Sequence, residues 1–471
     1  MISRRLMQGG LAALSLLPWR AFGQNNRGSF RLMQGPLLGA IGPDHVSMSI
    51  RSSAKTEARV LYSVRPDMSG AKMSPAVAVG PEGHYFARLD VKDLTPATRY
   101  YYRVLLGGEP ERLLRNYEPA SFMTAPVAGT RTGFKVAFGS CAHTQYHPVQ
   151  PIWDAIERAS PDMFLWLGDN VYHDTLEPET MDAMWAKQLN IPNLQSLLRT
   201  VPQLSIWDDH DFGLNDHDRT NPVKDAALAS YKRNWANPSY GLADTPGVFY
   251  KFSYANVDFF MLDGRYYRDP NDQPDGPSKT FLGARQLQWL KDGLKQSRAD
   301  FKILACGSGW TNAKGHGGDS WASAITERNA LFDFIRDEKV EGVVLLSGDT
   351  HIGELNAIPW SEKGGYDLYD LVSSPLANEN SASFLERRPE RRIRQVYFSG
   401  TNFGMLSFDS AVEPTLTFSL HNESGRNAFA PMTLRASELK NGVSTWLAKM
   451  DPLSRRRWDA TQSGKPTYSG G

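Results

Sequence analysis

A chain of 471 residues has room for roughly three domain-sized units or fewer at about 150 residues each, and 41% hydrophobic with 22% charged residues suits ordinary soluble cores. A formal net charge of +1 gives no global reason for nucleic-acid binding, and no apolar stretch is long enough to cross a membrane. Ten histidines and 51 acidic residues leave ample material for a metal site.

At the start, Ser3-Arg4-Arg5 precedes an apolar run from Leu11 to Leu17, and Ala21-Phe22-Gly23 offers a cleavage site before Gln24. Residues 1–23 therefore read as a signal peptide of the twin-arginine kind, an ordinary secretory signal being the alternative. The expected location is periplasmic or extracellular. In such an oxidising compartment the two cysteines, Cys141 and Cys306, allow one disulfide on arithmetic alone.

Residues 28–126 read as an all-β unit. Val46 to Ile50 and Val60 to Val64 look like short strands, and Leu94-Thr95-Pro96-Ala97-Thr98-Arg99-Tyr100 leads into alternating aromatics at Tyr100 and Tyr102. That pattern resembles the tyrosine corner of a fibronectin type III-like β-sandwich. A Pro/Gly/Thr linker from Ala125 to Gly133 follows, and the chain then alternates strands with helices, as an α/β layered domain does. The expected strands are Phe134 to Phe138, Met163 to Leu167, Leu204 to Trp207, Val257 to Leu262, Phe301 to Ala305 and Val343 to Leu346. Helices are expected around Val149 to Ser160 and from Met181 to Leu198, with further helical faces marked by Leu287, Leu290 and Leu294 and by Leu331, Phe334 and Ile335. Beyond about Asp367 strands return at Val396 to Gly400, Gly404 to Phe408 and Pro414 to Leu420, forming a second sheet or extending the first. Residues 439–471 read as a tail with one helix and a frayed end.

Four of the strands stop at polar turns of one character: Gly139-Ser140-Cys141, Gly168-Asp169-Asn170, Asp208-Asp209-His210-Asp211 and Gly348-Asp349-Thr350-His351. Ligands gather at the carboxyl ends of strands in open α/β sheets. Carboxylates brought together there cost several kcal/mol in repulsion and desolvation unless a cation compensates them. The four together point to a metal centre. Asp169, after the most apolar strand, is the natural bridge if two ions sit side by side.

The ordered set Phe138-Gly139-Ser140-Cys141, Leu167-Gly168-Asp169-Asn170-Val171-Tyr172, Trp207-Asp208-Asp209-His210-Asp211-Phe212-Gly213 and Ser347-Gly348-Asp349-Thr350-His351 resembles the PhoD-like alkaline phosphatases, a branch of the calcineurin-like metallophosphatase superfamily. Leu262-Asp263-Gly264-Arg265-Tyr266-Tyr267-Arg268, Asp319-Ser320-Trp321 and Ser373-Ser374-Pro375-Leu376 agree with it. The resemblance implies an α/β layered metallophosphatase domain over residues 133–438, a β-sandwich core flanked by helices, preceded by the fibronectin type III-like sandwich. It implies Fe(3+) on Cys141, Asp169, Tyr172 and His351, and Ca(2+) sharing Asp169 and adding Asp209 and Asp349, with other divalent metals as alternatives. Thiolate and phenolate ligands need a strongly polarising ion, whereas an all-oxygen set suits a hard one. Asn215 and Asp216 fall near the site as supporting candidates.

The implied activity is metal-assisted hydrolysis of a small phosphate ester or phosphodiester, with a bridging hydroxide as nucleophile and no nucleic acid required. His210 is placed to stabilise the transition state or protonate the leaving oxygen. Arg265 is the second catalytic candidate, with Arg268 and Asn170 as substrate contacts. The arginines clamp phosphate oxygens or, alternatively, form salt bridges to Asp263 or Asp269. The Asp319 to Trp321 segment is expected at the pocket mouth. Two other readings stand beside this one: a phospholipase D-type phosphodiesterase, and a non-catalytic cell-surface binding protein with a relic metal site. Oligomeric state leaves no trace in the sequence.

Overall fold

The structure is a computed structural model that describes residues 30–463 apart from residues 112, 113, 115, 386, 388 and 411. The expected signal peptide, residues 1–23, lies outside the described residues.

Two mixed sheets form the body of the chain. The first has six strands, with Met163–Leu167 hydrogen-bonded between Phe134–Gly139 and Gln203–Ile206, all three parallel. Every residue of Met163–Leu167 is buried, which is why its sequence runs apolar without alternation. The second has seven strands and is built around parallel Val257–Met261, Phe301–Ala305, Val343–Ser347 and Asp367–Val372. The sheets face each other through aromatic side chains: Phe134 and Phe408 of the first pack with Tyr254, Phe259 and Phe301 of the second. Helices Ile152–Ala159, Pro178–Leu189, Ala284–Gln296 and Ile325–Asp337 join the strands.

The late strands divide between the sheets. Asn402–Asp409 lies antiparallel to Phe134–Gly139 and extends the first sheet, followed by Thr415–Asn422 and Met432–Arg435. Asp367–Val372 joins the second. The strand expected from Val396 to Gly400 does not form. Tyr397 makes a single bridge to Gly353, and Gly400, at φ +144°, adopts a backbone that side-chain-bearing residues avoid. The helix expected from Met181 to Leu198 is broken at Pro192, giving Pro178–Leu189 and then Gln195–Thr200, because proline cannot donate the bond that continues a helix.

The N-terminal unit is two antiparallel sheets around its own core of Leu38, Val46, Met48, Val60, Tyr102 and Phe122. Tyr100 ties its turn, its hydroxyl accepting the Thr95 N–H at 2.9 Å. Strand Leu32–Ile41 serves both units: Leu38 points into the local core and Leu37 into the main one. Gly39 permits this, since a Cβ there would stand 2.3 Å from the Ala236 carbonyl oxygen, which accepts the Ala40 N–H at 2.7 Å. Residues 439–463 pack on the rest of the chain. Asp367 accepts the backbone N–H groups of Thr445 and Trp446, and helix Pro452–Gln462 is capped by Asp451.

Candidate metal centre

The carboxyl ends of both parallel strand sets open on one rim. The Cys141 N–H donates to the Gly168 carbonyl at 3.2 Å, and the Ala142 N–H to the Asp169 carbonyl at 2.8 Å. Ser140 stitches the sheets together: its Oγ accepts the Asp349 N–H at 3.2 Å and its carbonyl accepts the Leu376 N–H at 2.8 Å. Gly348 makes this approach possible, because a Cβ there would lie 2.2 Å from Ser140 Oγ. Cys141, Asp169, Asp349 and His351 all hold positive φ, between +48° and +67°. Such backbones cost of order 1 kcal/mol or more each and gather where the fold over-determines a functional geometry.

At the centre, Asp169 Oδ2 accepts from Cys141 Sγ and from the Tyr172 hydroxyl, each at 3.3 Å. The same hydroxyl lies 3.1 Å from His351 Nε2. Asp169 Oδ1 is buried and has no hydrogen-bond partner among the described residues. Asp209 Oδ2 accepts the Asp216 N–H at 2.8 Å, while its buried Oδ1 makes no hydrogen bond and has the Arg265 guanidinium 3.6 Å away. Orphaned acceptors of this kind are costly in an interior, and a cation satisfies them. Ligand atoms of Cys141, Asp169 and His351 lie within 4.8 Å of one another, and so do those of Asp169, Asp209 and His210.

Electrostatics says the same. Burial pushes the Cys141 thiol up to about 11, with the Asp349 carboxylate adding to it. Burial also raises Asp169 well above the usual carboxylate range, helped by Cys141 and Asp209. The Tyr172 phenol goes further up for the same first reason, again with Cys141 and Asp169 contributing. Burial works against a charged His210, but Asp169, Asp209 and Asp174 raise it to about 10. Its Nδ1 sits 2.5 Å from Asp174 Oδ1. Tyr172 is clamped between rings, with centroids 4.3 Å from His143 and 4.1 Å from His210. A soft sulfur, a phenol, an imidazole and a shared carboxylate suit a polarising ion such as iron, and the carboxylates beyond Asp169 suit a harder one.

The carboxylates of Asp208, Asp209 and Asp319 also cluster, yet a cation from the chain already answers them. Arg265, fully buried, bonds Asp208 and reaches Asp319 at 3.0 and 2.5 Å, with Asp209 at 3.6 Å. Arg268 joins Asp319 at 2.8 Å and stacks its guanidinium 4.3 Å from the Phe281 ring centre. Arg265 and Arg268 thus sit beside the carboxylate ring paired with Asp208 and Asp319, and not with Asp263 or Asp269, the partners of the alternative salt-bridge reading. Asn170 is buried too, its Nδ2 donating to the Ile206 carbonyl at 2.8 Å and its Oδ1 left without a partner. Asn215 and Asp216 lie at the surface, Asp216 touching the site through its backbone. Cys141 and Cys306 are both free and buried.

Sequence reasoning does not find Lys314 or Asp174, and it places Asp319 at the pocket mouth, in a segment that agrees with the family resemblance, without a role. None of the three ends an apolar strand, so no strand-end pattern announces them. The glycines around Asp319, Gly317-Gly318 before it, are the one local signal.

A family model described as PhoD-like phosphatase matches residues 136–409, more than half of the chain. Alkaline phosphatase D of Bacillus subtilis (strain 168) is 24% identical over 321 residues, covering 58% of this chain and 54% of that protein. The chain thus spans about half the length of the curated relative it matches. A solved structure of PhoD superposes with a TM-score of 0.72 at 16% identity, covering 92% of this chain and 97% of the other. The purple acid phosphatase PPD1 from yellow lupin (Lupinus luteus) seeds gives 0.61 at 14% identity, over 85% and 74%. At such identities these superpositions speak for the fold alone.

Proposed function

The chain belongs to the PhoD-like phosphatase family, and from that premise we propose that it is a metal-dependent phosphoric ester hydrolase of the alkaline phosphatase D type. The observation that carries this reading is Asp169, whose one oxygen gathers Cys141 and Tyr172 while the other is buried without a partner. In it Cys141, Asp169, Tyr172 and His351 would hold an iron ion, and Asp169, Asp209 and Asp349 would hold calcium or a similar hard cation. When bound, such a pair supplies a water acidified enough to attack near neutrality and offsets charge growing on the phosphoryl oxygens.

The chain's own residues do the rest. His210, held by Asp174 through its Nδ1, delivers a proton to the leaving oxygen. Arg265 and Arg268 hold Asp319 and Asp208 in place and neutralise them beside the site. The Asn170 amide, tied to Ile206 and with its Oδ1 buried without a hydrogen-bond partner, is the substrate-contact candidate beside Asp169.

The substrate is a small phosphate monoester or diester. Export by the twin-arginine route to the periplasm or beyond, and fibronectin type III-like kinship of the N-terminal unit, complete the proposal. The second rests on the tyrosine corner at Tyr100. Among the described residues no helix is long and apolar enough to cross a membrane.

The test is hydrolysis of nitrophenyl phosphate mono- and diesters by purified, metal-replete protein. Activity that survives purification and falls by about a thousandfold or more in Asp169→Ala is the expected result. Absence of turnover on both esters rejects the enzyme reading.

A further inference from the structure

The loop after the Phe301–Ala305 strand carries a lysine into the site that the scheme above does not use. Lys314 is buried, its side chain 8% exposed, and its Nζ donates to Asp349 Oδ2 and, at 2.9 Å, to the Asp319 carbonyl. Burying an ammonium is expensive unless close negative charge repays it. Here Asp349 repays it first, with Asp319 and Asp209 also near enough to matter.

Asp349 is one of the carboxylates assigned above to the hard cation. An ammonium and a divalent ion are therefore set against the same carboxylate. Asp169 keeps a buried oxygen without a partner, whereas Asp349 has its charge met by the chain itself. Lysine is suited to such a contest, because its compact charge on a flexible stem withdraws and returns more readily than a guanidinium fork.

Resting on the two-cation reading, we propose that Lys314 is a positioning residue that rivals the hard cation for Asp349, so that the second ion is held weakly and exchanges readily. With the ion present, Lys314 releases Asp349 and keeps the Asp319 carbonyl. With the ion gone, it neutralises the carboxylate and preserves the rim. Lys314 thereby sets the cation concentration at which the site fills.

A rival and a merely structural lysine differ in sign. A structural lysine would, on removal, loosen the rim and weaken cation binding; a rival would, on removal, strengthen it. Calorimetric titration with calcium is run on the purified full-length chain after its exchangeable divalent ions have been removed with a calcium chelator. Lys314→Gln is expected to bind calcium about tenfold more tightly or better than wild type, and Lys314→Arg, which keeps the charge, to bind near the wild-type affinity. Lys314→Met, whose unbranched side chain fills the same space, takes the place of Lys314→Gln if that variant does not fold. Unchanged or weakened binding in the charge-removed variant overturns the proposal. No calcium uptake by any of them at millimolar concentration rejects the second-cation reading itself, and the inference with it.

Discussion

Tyr172 illustrates how much one hydroxyl commits. Its ring is sandwiched between His143 and His210, its oxygen is within reach of Asp169 and His351, and burial pushes its pKa far above that of a free phenol. As a core aromatic it would have no reason to present oxygen to a carboxylate and an imidazole together. Tyr172→Phe should leave the rings packed and the fold intact while bleaching any visible phenolate-to-iron absorption. An unchanged spectrum would show that the phenol is not a ligand. Arg265 separates two roles in the same way. Arg265→Met leaves Asp208 buried beside Asp209 without its counter-charge and Asp319 with Arg268 alone, and should cost about 3–5 kcal/mol of stability by urea denaturation. Were Arg265 instead a clamp on substrate, the folded variant would show a raised KM with stability nearly unchanged.

At the scale of elements, a buried acid behind the site gives a pH test away from the ligands. Asp370, in strand Asp367–Val372, accepts from Ser347 Oγ at 2.7 Å and from the Trp310 N–H at 3.2 Å. Burial pushes its carboxyl up to about 7, above its ordinary value of 3.8. Because the folded value is the higher one, the folded state binds the extra proton. Its contribution is complete below about pH 4 and is lost as pH rises through about 7. Asp370→Asn, whose amide can donate to Ser347 Oγ and whose oxygen can accept from Trp310, removes that dependence. Relative to wild type it should be more stable at pH 8 than at pH 5 by about 2 kcal/mol, read from urea titrations at the two pH values. An equal difference at both would place an ordinary acidity on Asp370.

Elements also mark where the sequence can be read and where it cannot. Met163–Leu167 and Phe301–Ala305 are legible to the residue because strands buried on both faces spell unbroken apolar runs. The break at Pro192 is masked although the proline is plain, since helical periodicity resumes after it. Val396 to Gly400 carries strand-like residues but ends in a glycine with positive φ, which no propensity scale registers. Strand-end motifs identify Cys141, Asp169, Asp209, Asp349 and His351 because each follows a strand closely. Asp319 and Lys314 come from a long loop, and only tertiary structure brings them to the rim.

Over the whole molecule, the centre draws its atoms from two sheets that share few backbone bonds. Cys141, Asp169 and Asp209 follow strands of the six-stranded sheet; Asp349 and His351 follow a strand of the seven-stranded one. The sheets meet there through Ser140, whose carbonyl and hydroxyl reach Leu376 and Asp349. In the proposed scheme an ion shared by Asp169 and ligands across that seam would act as a keystone, drawing the two slabs together at their open end, while aromatic packing around Phe408 holds the other. Extracting it with a chelator should let the slabs part at one end only. Amide hydrogen exchange would then quicken at residues 139–142 and 347–352 while residues 301–305 and 405–408 keep their protection. Uniform quickening would mean that the ion braces the entire body, and no quickening that the stitches at Ser140 suffice alone. In the expected case the protein carries a built-in breathing direction, opening toward solvent where substrate must enter.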